Sequence, residues 1–424
     1  MRILVVSQYY WPESFRINEV VDVLRKQGCE VTVLTGQPNY PGGTVYEGYR
    51  AAAMGTQAHA GYVIHRVPIA PRGQRSALRL AANYLSFLVS GSLLGPWLLR
   101  GQRFDLIFVF GMSPILQILP GVVLKWLKRA PLVTWVQDLW PQSLEVTGFV
   151  TNRRVLDAVA VAVRWLYRRN DLLLVQSRGF IEEVQRMAGR TPVEYHPNPG
   201  ELAFEAPQSG PSPLTLDPGF NVVFAGNMGT VQALETVVEA ARLLQHEPGI
   251  RFVLVGSGSR SEWVQAEIGR LGLRNIQLPG RFKPEAMPGI LAQASVLLVS
   301  LARSPIMSQT IPSKVQAYLA AGKPIIASLD GEGARVVTEA QAGLACPAED
   351  APALAAAVSA LHAAGEAQLQ QMGLNSRACY EAQFQPDQLA AQLITRLEKL
   401  LDDRKRPHSR EPARPRGRTS DDAR

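Results

Sequence analysis

Cysteine is scarce in this chain: Cys29, Cys346 and Cys379 are the only three, far apart among 424 residues. With no CxxC pair there is no zinc-ribbon or thioredoxin-type motif, and isolated thiols suit a reducing compartment. Histidine is also thin, with six residues at 59, 65, 196, 246, 362 and 408. That supplies no ready acid–base set of imidazoles. Charged residues make up only 19% against 46% apolar, a globular balance that excludes wholesale disorder. Met1 runs straight into MRILVVS, with Tyr9-Tyr10-Trp11-Pro12 behind it, so no leader peptide is expected.

The charge is unevenly spread. Residues 1–200 carry 22 Lys/Arg against 13 Asp/Glu, or +9. Residues 201–401 carry 14 against 18, or −4, and residues 402–424 carry 8 against 5, or +3. A basic first half suits an anionic surface. Its basic groups flank apolar stretches, as in KWLKR (125–129) and RRVLDAVAVAVRWLYRR (153–169). They do not interleave with exposed aromatics, which argues for an anionic membrane surface and against nucleic acid. Leu80 to Leu99 holds no charged residue and is long enough to nominate a membrane span. Gly91, Gly95, Pro96 and four polar residues argue against crossing. A helix packed on the domain, buried or dipped in the interface, is expected instead.

Apolar runs of strand length alternate with helical patterns, which predicts an α/β fold with parallel sheets. The expected strands of the first half are 2–7, 30–35, 62–67, 105–110, 132–136 and 171–177. Those of the second half are 221–226, 251–256, 276–280, 295–301, 324–328 and 343–347. A Pro-, Gly- and Ser-rich stretch separates them. The division is therefore an N-terminal domain over 1–198, a linker over 199–219, a second domain over 220–382, a helix over 383–401, and a disordered basic tail over 402–424. Two doubly wound halves imply a cleft, with ligands beyond the carboxyl ends of the strands.

Three stretches point to chemistry there. FAGNMGT (224–230) ends a strand in glycines before a helix, so backbone approaches a ligand closely. LVGSGSR (254–260) lacks the last glycine of a dinucleotide fingerprint and is weak as one. TIPSKVQAYLAAGKPI (310–325) places Lys314 at a helix start, and a second helix start follows at Gly331 to Ala334. Converging helix N-termini and a lysine suit a diphosphate.

The ordered set AGN-G, LVGSG, LPG, PSK…AYLAAGKPI and GEGARVV…AGL..PAED resembles the nucleotide-sugar half of family 4 glycosyltransferases with the GT-B fold. MRILVVSQYYWPE, TGQPNYPGG, VQDLWPQSLEVTGF and HPNP resemble the matching acceptor half. Together they resemble the branch that adds fucose or N-acetylfucosamine-type sugars in colanic acid and O-antigen synthesis, over about residues 2–400. The resemblance implies two Rossmann-like domains facing a cleft. It implies a metal-independent, retaining transferase that uses a UDP- or GDP-linked sugar as substrate and needs no cofactor. It implies a polyprenyl-diphosphate-linked glycan as acceptor, in the cytoplasm at the inner face of the membrane. On that pattern Gly226, Asn227 and Gly229 lie near the donor and Arg281 near its base. Lys314 meets the phosphates, and Gly333, Ala334 and Arg335 approach them through backbone N–H groups.

This sequence departs from the family in places. Many members carry two glutamates seven residues apart, for donor sugar and ribose. Here Gln316 holds the second position, and Ser308 lies eight residues earlier. Gln316 still offers a donor and an acceptor to ribose. A basic residue common in the glycine turn is replaced by Thr230 and Val231, which shifts cationic duty to Lys314, Arg303 or Arg281. An inactive, nucleotide- or glycan-binding paralogue and a GT-B epimerase are the alternatives.

In the acceptor half Asp138 follows the strand LVTWV, so it faces the cleft and suits a general base. Glu13, after the first strand, is the second acid. Arg16, Asn18 and Tyr40 are the expected acceptor contacts. His196, beside Pro197, suits a structural joint.

Overall fold

The computed structural model describes residues 1–74, 76–146, 152–204 and 211–405. The expected linker is outside the described residues at 205–210, and the expected tail at 406–424; 402–405 instead continue the last helix. The first sheet contains β1 (Arg2–Val6), β2 (Glu30–Gly36), β3 (Gly55–His59), β4 (Tyr62–Val67), β5 (Leu106–Gly111), β6 (Leu132–Val136), β7 (Leu172–Val175) and β8 (Val193–Tyr195). Their order is β3-β4-β2-β1-β5-β6-β7-β8, parallel except for the β3/β4 pair. The second contains β9 (Phe220–Asn227), β10 (Ile250–Ser257), β11 (Ile276–Gly280), β12 (Val296–Ser300), β13 (Ile325–Ser328) and β14 (Gly343–Cys346). Their order is β11-β10-β9-β12-β13-β14, all parallel.

These strands read as unbroken apolar runs because helices cover both faces of each sheet. LIFVFG in β5 is buried at every position. Each sheet reverses its winding once, between β1 and β5 and between β9 and β12. Ligand crevices belong at those switch points, beyond the strands' carboxyl ends.

The halves are laced together. Gly200 N–H donates to the Phe384 carbonyl at 2.8 Å. The helix Pro386–Lys405 crosses back and seals the first sheet, burying Ala390, Leu393 and Leu397 against Ile3 and Val5. His196 sits at this joint. Its carbonyl accepts from Trp135 Nε1 at 2.8 Å. Burial, assisted by Arg396, pushes its imidazole down to about 3, so it is neutral.

The charge-free run is the helix Ala77–Leu98, the one helix among the described residues long and apolar enough to cross a membrane. It lies on the domain through a stripe of Asn83, Phe87, Gly91 and Gly95. A Cβ at Gly91 would stand 2.9 Å from Pro120, and one at Gly95 2.9 Å from Leu34. The glycines are thus the packing surface of the helix. Its other side exposes Leu78 (81%), Leu85, Val89, Leu93 (70%) and Trp97. Trp126, Leu127, Val161 and Trp165 are exposed on the neighbouring helices Ile118–Lys128 and Arg153–Tyr167, so exposed aromatics do stand among the basic groups, with Arg169 over both Trp126 and Trp165, contrary to the expectation from sequence.

Candidate active site

On the donor side, β9 and β10 run in register, with Gly226 paired to Gly256 and Asn227 to Ser257. Both glycines have positive φ, +133° and +141°. A Cβ on Gly256 would stand 1.9 Å from the Gly226 carbonyl oxygen, and one on Gly258 2.4 Å from that of Met228. Only glycine lets the two strand-end loops lie this close. A Cβ on Gly226 would meet Lys314 Cε at 2.6 Å, so that glycine also makes room for the lysine.

Lys314 stands in the first turn of the helix Ser313–Ala320. Its ammonium nitrogen is buried with no hydrogen-bond acceptor among the described residues and lies 3.7 Å from the centroid of the Phe224 ring. Burial pushes its pKa down to about 7. A desolvated cation without a counter-charge is costly, and an anion beside it removes the cost. It lines a half-open cavity of about 620 Å³ shared with Gly226, Asn227, Gln232, Gly258 and Arg281. Arg281 is exposed at the rim. Gly229 N–H is held by Gln232 Oε1 at 2.9 Å, which shapes the turn.

The other residues expected at the donor are not among those that line this cavity. Gln316 is 2% exposed and gives its amide to the Asn198 carbonyl at 2.9 Å. It joins the two halves and does not line the cavity. Ser308 Oγ donates to the Pro305 carbonyl at 2.9 Å. Arg303 is outside the cavity, 3.5 Å from Asp330 and donating to the Ala348 carbonyl at 2.9 Å. Arg335 is clamped by Glu332 at 2.7 Å and Glu339 at 2.6 Å, and lines a separate cavity with Arg178 and Tyr195. Gly333 packs on Leu329 and Pro312, and Ala334 follows it in the same helical turn.

On the acceptor side, Asp138 follows β6 and lines a second cavity of about 350 Å³ with Tyr9, Tyr40, Arg72, Tyr84 and Trp140. Its carboxylate accepts from Ser113 N–H and Ser113 Oγ, both at 2.8 Å. Burial raises its pKa against those two bonds, which makes it a better proton acceptor. Trp140 Nε1 donates to Ser113 Oγ at 3.0 Å and fixes that hydroxyl.

Glu13 is corrected from a proton-transfer group to a positioning residue. It is 1% exposed, and its oxygens accept from Asn39 N–H and Tyr40 N–H, both at 2.7 Å, and from Tyr10 N–H at 3.1 Å. It ties the loop after β1 to the Tyr40 loop. Asn18 serves the same loop, donating to the Glu13 carbonyl at 2.7 Å and accepting from Trp11 N–H at 3.2 Å. Arg16 is drawn to Glu19 at 3.2 Å and lies 3.9 Å from Glu201, so it reaches the start of the linker. Of the three expected acceptor contacts, only Tyr40 lines the cavity.

Residues 14–199 match the family described as glycosyl transferase 4-like domain, and residues 219–364 match glycosyl transferases group 1. The chain is a GT-B glycosyltransferase. It is 29% identical over 338 residues to WcaI of Escherichia coli K12, assigned as a colanic acid biosynthesis glycosyl transferase, across 76% of this chain and 82% of that one. Among solved structures it is similar to sucrose-phosphate synthase from Thermosynechococcus elongatus, with TM-score 0.69 and 17% identity, covering 95% and 99% of the chains. It is also similar to Anabaena HepE in complex with UDP, with TM-score 0.65 and 14% identity, covering 94% and 100%.

In this glycosyltransferase LVGSG is weak as a dinucleotide fingerprint by its sequence. Gly256, Ser257 and Gly258 nonetheless line the donor-side cavity. Their spacing reflects close approach of two loops. Phe224, the ring under Lys314, was legible only as a strand residue. Arg72 and Tyr84 of the acceptor cavity carry no motif.

Proposed function

We propose that this glycosyltransferase moves a sugar, of the fucose or N-acetylfucosamine type, from a nucleotide diphosphate to a lipid-linked oligosaccharide in exopolysaccharide or O-antigen synthesis. The unpaired Lys314 ammonium beneath the glycine loops carries the reading. It supplies the positive charge that a departing diphosphate needs, at a fixed place in a partly dry site. The similarity to a UDP-bound structure supports uridine in the donor. Arg281 at the rim lies near the base. Asp138 accepts the proton of the acceptor hydroxyl, and the donor's anomeric configuration is kept. On this reading Lys314 supplies the charge neutralisation of the diphosphate, and transfer needs no metal.

The enzyme works at the inner face of the cytoplasmic membrane. Leu93, Trp97, Trp126, Leu127, Val161 and Trp165 are exposed apolar groups of the first half. Arg100 and Arg169 lie over the rings of Trp97 and Trp165 at 4.6 and 5.0 Å. Apolar side chains rimmed by cations suit an anionic lipid interface.

The test is transfer itself. The protein is incubated with radiolabelled UDP- and GDP-sugars and a membrane lipid extract, with and without EDTA. Label in the lipid fraction, unchanged by EDTA, is expected. Tight donor binding with no transfer from any common donor would support a binding paralogue instead. Sugar isomerisation without acceptor would support an epimerase.

A further inference from the structure

The acceptor-side cavity contains a cation that donor binding does not use. Among the described residues that line it, Arg72 is the one basic residue and Asp138 the one acid. The Asp138 oxygen Oδ2 is occupied by Ser113, and Arg72 has no carboxylate partner among the described residues. Its guanidinium carbon stands 5.1 Å from the centroid of the Tyr40 ring. Its backbone N–H is tied to Asn39 Oδ1 at 3.0 Å, so the segment is anchored. The guanidinium also engages the Tyr9 hydroxyl; with five N–H donors it keeps others for a ligand, and a guanidinium edge matches a phosphate bidentately.

The helix Ala77–Leu98 gives this cation its context. Ala77, Leu80, Ala81 and Tyr84, spaced i, i+3, i+4 and i+7, wall the cavity. Leu78, Leu85, Val89 and Leu93 form a separate exposed stripe on the same helix. One helix therefore carries apolar surface from the cavity wall to the outside. A cavity of about 350 Å³ is at the small end for a ligand site, so it accepts the head of a larger molecule.

We propose that Arg72 binds the phosphate of the acceptor, a glycosyl phosphate or diphosphate ester of a long-chain alcohol, with its sugar toward Asp138 and its chain along the exposed stripe. The inference rests on the lipid-linked acceptor reading above. It adds the group that distinguishes a phosphorylated acceptor from a neutral glycan.

The test is calorimetric titration of decyl diphosphate into the full chain, with UDP saturating the donor side. Arg72→Gln should weaken decyl diphosphate by about tenfold or more, and Arg72→Lys should recover part of that loss. Decyl β-glucoside should bind Arg72→Gln and the parent chain alike, as should UDP. Unchanged decyl diphosphate affinity in Arg72→Gln overturns the proposal. So does equal weakening of the glucoside, which would mean Arg72 only shapes the cavity, or a loss confined to Lys314→Ala, which would place the phosphate on the donor side. Inorganic pyrophosphate binding as tightly as decyl diphosphate contradicts the lipid part. UDP titrated alone into the same proteins reads the donor side separately, so a failure there leaves the Arg72 result standing.

Discussion

Lys314 Nζ rests 3.7 Å from the centre of the Phe224 ring and has no hydrogen-bond acceptor among the described residues. The ring face offers partial compensation for lost water. It does not offer a full counter-charge, and burial pushes the ammonium down to about 7. A phosphate beside it would restore the charged form.

That linkage makes donor binding a proton-uptake event. At pH 8 the free lysine is mostly neutral, and the diphosphate complex holds it charged. Titration of UDP in buffers of different ionisation enthalpy should show uptake approaching one proton at pH 8 and little at pH 6. Equal uptake at both would separate Lys314 from the phosphates.

The same lysine limits stability without ligand. Its native pKa is depressed from 10.5 to about 7. The unfolded chain therefore holds more protons between about pH 7 and 10.5, and stability rises with pH across that window. Below pH 7 the full penalty applies. Lys314→Met should raise the melting temperature at pH 7 by about 2–4 °C, with the gain fading towards pH 10. Thermal denaturation at the two pH values reads this.

Asp138→Asn keeps the shape of the acceptor cavity and removes the proton acceptor. Turnover should fall by about 10²–10⁴-fold, with UDP affinity unchanged. Ser113→Ala removes a bond that lowers the Asp138 pKa. It should shift the acid limb of the kcat/KM profile to higher pH, because more base must be added to ionise the carboxyl.

Membrane binding should depend on the exposed stripe. Leu93→Glu places a charge where a 70%-exposed leucine stands. It should reduce co-sedimentation with vesicles containing anionic lipid several-fold and leave UDP binding intact. Salt should weaken the remainder.

Much of the fold was legible because a parallel sheet buried on both faces writes itself as apolar runs. RILVV, LIFVFG and LVTWV are such runs. The strand β3, GTQAH, was not legible: it is an edge strand with exposed positions and no apolar alternation. Lys314 and Asp138 were legible as positions, one at a helix start and one after a strand. Gln316 was not, because its partner Asn198 lies 118 residues away. Arg335 was expected to meet the phosphates through its backbone N–H, but that N–H donates to the Gly331 carbonyl at 2.9 Å, a partner four residues back in its own helical turn. Glu13 read as a second candidate acid because nothing local announces that Asn39 and Tyr40 fold back onto it.

The central claim is that Lys314 holds the donor diphosphate. Calorimetry of UDP and of uridine, on the parent chain and on Lys314→Ala, tests it most directly. The account predicts that the variant loses about tenfold or more for UDP and almost nothing for uridine. Equal loss for both ligands, or no loss for either, would contradict it.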